Sequence, residues 1–208
     1  MNRVSFTHLT LSFVCVALFA TGCATTPSVE VPPQAVSGLL EIRSALIDGK
    51  GQIQKTTGAA KDMIDRPRQD VQAQINGFNS QLEKLDKDAA QVRELTTAVQ
   101  ARTDEYFATW ETQLKTMSGS LAESGKQRRQ ESMASWAQLQ ASMTAGRAKF
   151  QSYITNLREA ARYFQTDATA AGVKAATPTL RAALDREPEV LKTIDEVIVQ
   201  IDAVRGGK

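Results

Sequence analysis

The sequence predicts an all-α protein, an elongated antiparallel helical bundle or coiled coil of three to four long helices. Three observations carry this. Apolar residues recur at alternating spacings of three and four over most of residues 35–204, the mark of a helix face turned toward a partner. Alternation with period two, which a half-buried strand needs, never holds over a useful length. Prolines and glycines fall at a few places and cut the chain into long pieces.

The first thirty residues read differently. Arg3 precedes an apolar run from Leu9 to Ala20, interrupted by Thr10, Ser12 and Cys15. A membrane-spanning helix needs about 20 apolar residues, so this run has the length of a signal-peptide core. Ala20-Thr21-Gly22-Cys23 follows and resembles the lipobox of bacterial lipoproteins, with Ala20 where Leu is usual. Residues 1–22 are therefore expected to be a lipoprotein signal peptide, and Cys23 to carry the lipid. Cleavage after Ala24 is the alternative. Acyl chains contribute about 0.8 kcal/mol per buried methylene, enough together for a stable anchor. Residues 24–34 (ATTPSVEVPPQ) hold three of the six prolines and no helix period, so 23–34 reads as lipidated Cys plus flexible tether. The expected location is the cell envelope. Ala24, where an Asp would favour inner-membrane retention, points to the outer membrane facing the periplasm.

The body should form one domain over 35–204. A first helix is expected over 35–65, with Leu39, Ile42, Leu46, Ile53, Ala60 and Met63 on its seam; Gly49, Gly51 and Gly58 would weaken it and leave open one helix or two pieces. The longest helix is expected over 67–122, roughly 80 Å at 1.5 Å per residue. Its seam is Val71, Phe78, Leu85, Val92, Val99 and Tyr106, with a second series Ile75, Leu82, Ala89, Thr96, Thr103, Trp110 and Met117. Pro67 suits its first turn, and Gly125 in ESGKQ its stop. A third helix over 126–165 carries Trp136, Met143, Phe150, Leu157 and Phe164, seven apart, with Gln140 and Arg147 as polar gaps. TDATAAGVKAATP reads as a turn, Thr177 and Pro178 as the cap and first turn of a last helix, and Pro188 as its kink or break.

Short connections make sequential helices antiparallel. With these boundaries a four-helix cross-section would exist only near residues 82–96, and both tips would be thin.

Composition removes several function classes. His8, the only histidine, and Cys15 lie in the expected signal peptide, so the mature chain would have no histidine and no free thiol. Ser-His-Asp and Cys-His catalysis, common zinc sites and Glu-x-x-His di-iron sites are thereby excluded. No Gly-rich phosphate loop is present. Lys plus Arg number 25 against 23 Asp plus Glu, too even for a nucleic-acid partner. Glu105 with Glu111, or Asp86 with Asp88, fit a solvated helix face as well as any acid–base pair. The expectation is no enzyme, no catalytic residue, no metal and no cofactor.

The segments YFATWETQL (106–114), RRQESMASWAQLQ (128–140) and YITNLREAARYFQTDATAAGV (153–173) resemble an uncharacterised family of Gram-negative envelope lipoproteins with a spectrin-like helical body. That resemblance implies fold and compartment, and no activity. The leading functional expectation is a non-enzymatic lipid-anchored scaffold, spacer or protein-interaction adaptor. Its partners would be the membrane, through the lipid on Cys23, and a protein or a second copy. The candidate interaction tip is Trp110, Met117, Leu121, Met133 and Trp136, where the bundle should be thinnest. The alternative is a periplasmic binder of a lipid or small apolar ligand in a bundle cavity, cued by small residues such as Ala89 facing Phe164.

Overall fold

A computed structural model describes residues 33–206. The expected signal peptide, Cys23 and most of the expected tether lie outside these residues. Five helices follow one another: α1 (Pro33–Asp65), α2 (Val71–Leu114), α3 (Gly119–Phe164), α4 (Ala170–Leu184) and α5 (Glu187–Gly206). No strand occurs among the described residues.

α4 and α5 run on in the same sense and together make the fourth side of an up-down-up-down bundle. α1 packs on α2 and on the α4–α5 pair, and α3 does the same from the opposite corner. Ion pairs tie the fourth side to α1 and to α3, and α2 to α3: Arg43–Asp202 at 2.8 Å and Lys50–Asp195 join α1 to α5, and Arg181–Asp65 at 3.2 Å joins α4 to α1. Lys149–Glu189 at 3.0 Å joins α3 to α5, while Arg158–Asp86 at 2.6 Å and Arg129–Glu111 at 2.7 Å join α2 to α3. Half-exposed pairs of this kind contribute about 0–1 kcal/mol each, so they fix register more than they add stability.

Several boundaries differ from the sequence expectation. α1 is one continuous helix through Gly49, Gly51 and Gly58, because Ile42, Ile53, Ala60 and Met63 bury its inner face. α2 starts beyond Pro67, where the Asp70 side chain accepts from the Ala73 N–H at 3.1 Å, and it stops at Leu114. The reversal uses Gly119, whose φ of 68° suits a residue without Cβ. Gly125 lies inside α3, where a Cβ would come 2.5 Å from Leu114 Cδ2. The longest helix is consequently α3, with 46 residues, about 69 Å at 1.5 Å per residue. TDATAAGVKAATP is largely helical: Thr169 caps α4 by accepting from the Gly172 N–H at 3.1 Å, and Pro178 sits inside the helix. Thr177 is no cap; its hydroxyl donates to the Val173 carbonyl at 2.9 Å. Pro188 does mark a break, falling in the first turn of α5 where its missing N–H is harmless.

Because α4 starts soon after α3 ends, the end holding the 66–70 and 165–169 connections is four-sided, not thin. Its core gathers Ile53, Met63, Ile75, Phe78, Leu85, Ile154, Leu157, Phe164, Val173 and Leu180. Phe78 and Phe164 meet edge to face with ring centroids 6.2 Å apart. Tyr153 is fully buried there, its hydroxyl 2.9 Å from that of Thr57. Burial also raises the Glu187 carboxyl above its ordinary range, against the pull of a hydrogen bond to Thr57 and the charge of Lys61.

A second core holds Ala35, Leu39, Ile42, Val99, Phe107, Trp136, Leu139, Val197 and Ile201. Between the two, the heptad seams lapse together. Ala89, Val92 and Thr96 of α2, and Met143 and Phe150 of α3, are only half-buried although their spacing places them on the seam. They line a cavity of about 370 Å³. Past it, Val99 and Thr103 are buried as the seam expects, but the next buried positions of α2 are Phe107 and Leu114, so Phe107 replaces Tyr106 in the core.

Candidate functional site

The described residues contain no group of three His, Cys, Asp or Glu placed to hold a metal, and no helix long and apolar enough to cross a membrane. Asp86 is taken up by Arg158, and Glu111 by Arg129. The feature that stands apart from the bundle is the α2–α3 hairpin. α1 begins about level with residues 102–104, since Gly38 lies against Val99 and the two helices are antiparallel. α2 runs on for about three further turns at 3.6 residues per turn before it reverses.

That projecting end is held by its own contacts. Leu114 and Ala122 are buried, and Leu114 packs onto the bare backbone of Gly125. Arg129 does double duty, donating from Nε to the Phe107 carbonyl at 3.1 Å and pairing with Glu111 through Nη2 at 2.7 Å. Sequence reasoning missed this clamp and Leu114. The signal was local: a Gly eleven residues past an aliphatic helix end allows two backbones to close.

The five residues expected at the tip separate into two groups. Leu121 is 69 % exposed, Met117 44 % and Met133 40 %. Trp110 is half-buried and stacks on Phe107 with centroids 6.4 Å apart, beside Tyr106 at 5.6 Å. Trp136 is a core residue, 7 % exposed, packed below the projecting section. It cannot present a surface, because α1 and α5 extend far enough to cover it. Cys23 lies outside the described residues. Val199 on α5, which the sequence reading does not single out, is 66 % exposed and nearly matches Leu121.

A family model described as a protein of unknown function (DUF2959) matches residues 34–204. The chain belongs to this family. The DUF2959 match spans all five helices and coincides with the stretch over which the sequence resemblance runs. No curated protein and no solved structure gives a match. The DUF2959 family carries no assigned activity, so the geometry of the hairpin and of the bundle interior has to supply the functional argument.

Proposed function

We propose that the chain is a non-enzymatic, lipid-anchored adaptor of the cell envelope that engages a protein partner through the α2–α3 hairpin end. One observation carries this reading: a two-helix projection, internally clamped by Arg129, bears exposed Met117 and Leu121 beyond the four-sided section. Methionine adapts to differently shaped apolar partners, and clustered large apolar side chains on a rigid end suit helix-face recognition.

The placement of the chain ends favours adaptor over spacer. The start of α1 lies at the hairpin end of the bundle, since Gly38 lies against Val99, on the hairpin side of the cavity. The stretch from Cys23 to Pro33 reaches at most about 35 Å at about 3.5 Å per residue. A body anchored through Cys23 would keep the hairpin near the membrane surface, where a rod built for spanning would hold it away.

The test is photo-crosslinking in intact cells from Met117, Leu121 and Met133, with and without Cys23→Ser. A discrete protein captured from all three positions only in the Cys23 form is the expected result. Capture of nothing but a second copy would overturn the adaptor reading and leave a self-assembling rod.

A further inference from the structure

The interior cavity is independent of the hairpin and calls for its own account. It sits between the two cores, at the level where the seams of α2 and α3 lapse. At about 370 Å³ it falls in the size range of small-molecule pockets, about 300–1,000 Å³. Its floor is apolar: Leu46 and Ile53 from α1, Leu85 and Val92 from α2, Phe150 from α3 and Ile194 from α5.

The mouth opens between α2 and α3. Every exposed lining residue belongs to those two helices, Arg93, Thr97 and Gln100 on one and Thr144, Arg147 and Gln151 on the other. Thr96, Gln140 and Arg147, which break the seam pattern in the sequence, all line this cavity. A seam polar at three positions around one void is poor core packing, and it is what a ligand with a polar end requires. Trp136 adds a second sign: it lines the same cavity and its Nε1 is buried with no hydrogen-bond partner.

The charge at the mouth selects the ligand. The Asp86–Arg158 and Glu111–Arg129 pairs fix the α2–α3 register, and that register brings Arg93 level with Arg147. Among the described residues neither guanidinium makes an ion pair or a hydrogen bond. Arg158 also lines the cavity but is held by Asp86, and Asp88 is the one carboxylate besides. Two unpaired guanidiniums across an apolar slot suit an anionic head, for which planar forked donors are matched.

We propose that this cavity binds a single-chain anionic amphiphile, its acyl chain inside the bundle and its carboxylate or phosphate at Arg93 and Arg147. Counted at about 30 Å³ per water-sized group, a space of about 370 Å³ holds a chain of about a dozen carbons. Free fatty acids and monoacyl phospholipids share this chemistry. The inference goes beyond the adaptor reading and does not rest on it.

The experiment uses the full chain with Trp110→Phe, so that Trp136 reports alone. ω-Bromododecanoate should quench Trp136 saturably at one ligand per chain, and dodecyltrimethylammonium should not compete. Arg93→Gln with Arg147→Gln, both at exposed positions, should weaken binding at least about tenfold while helical content is kept. Ala89→Phe, whose ring takes up cavity space without adding a second reporter, should weaken binding. Competition by dodecanoate against monododecanoyl phosphatidylglycerol then tells the sources apart, the tighter one being the natural class. Absence of saturable quenching, equal competition by the cationic amphiphile, or wild-type affinity in the double arginine variant would each overturn the proposal. Should Ala89→Phe fail to fold, the double arginine variant decides.

Discussion

Gly38 and Gly58 share a helix, and their surroundings demand opposite outcomes of the same substitution. A Cβ on Gly38 would come 2.3 Å from Val99 Cγ2, on a β-branched side chain that cannot swing away, whereas nothing lies within 4 Å of a Cβ on Gly58. Gly38→Ala should destabilise by about 1–3 kcal/mol, and Gly58→Ala should stabilise by about 0.5–1 kcal/mol, read as opposite shifts of the urea midpoint at constant slope. Tyr153 offers a pH-dependent test. Burial pushes its phenol from 10.0 up to about 12, opposed by the hydrogen bond to Thr57 and assisted by the charge of Glu187. The folded chain therefore holds this proton more tightly than the unfolded one. The stability it contributes is complete below about pH 10 and declines as pH rises toward about 12. Tyr153→Phe should cost about 1–2 kcal/mol at neutral pH, by removing the buried hydrogen bond to Thr57 and leaving that hydroxyl only Glu187, and should flatten the melting-temperature decline across that alkaline window. Core residues such as Phe78, Leu85 and Phe164 were legible from spacing because the helical period is local. The close approach at Gly38 was not, since it depends on which residue of another helix lies opposite.

Among the elements, α4 shows where local reading fails. Gly172 and Pro178 argue for a turn by propensity, yet Val173, Ala176, Leu180 and Ala183 recur at helical spacing and are buried. Packing of that stripe outweighs a proline interior cost of about 3 kcal/mol. Pro178 is itself exposed, so its removal sacrifices no core contact. Pro178→Ala should raise stability by about 1–3 kcal/mol, measured by chemical denaturation; a loss would mean that the proline relieves strain in α4. The α2–α3 turn failed for another reason. Gly119 and Gly125 are alike in sequence, but one serves a positive φ and the other a close helix approach, and only the fold assigns the roles. Pro188 was legible because a proline inside a periodic run has to kink or break the helix there.

At the scale of the molecule, the bundle is two dense cores joined through a looser waist. Hydrogen exchange should follow that division: amides in 78–85 and 154–164 slowest, and those in 93–100 and 144–147 faster than their neighbours on either side. Uniform protection along α2 and α3 would contradict a loose waist. The seam polarity at Thr96, Gln140 and Arg147 announced an irregularity in the sequence, but its meaning required the register between helices. The expected pairing of Ala89 with Phe164 did not form: Ala89 lines the waist, while Phe164 closes the far core against Phe78.

The even number of passes has a mechanical consequence. α1 starts and α5 ends at the same end of the bundle, on adjacent sides joined by Arg43 and Asp202. Tension drawn between the two termini would peel these helices apart one turn after another, loading few contacts at a time. Tension between the amino terminus and the distant 66–70 connection would instead pull along α1, shearing its whole buried face at once. In a force-clamp experiment the first geometry should yield at a much lower force than the second, so the direction of a tug would decide how long the fold survives it.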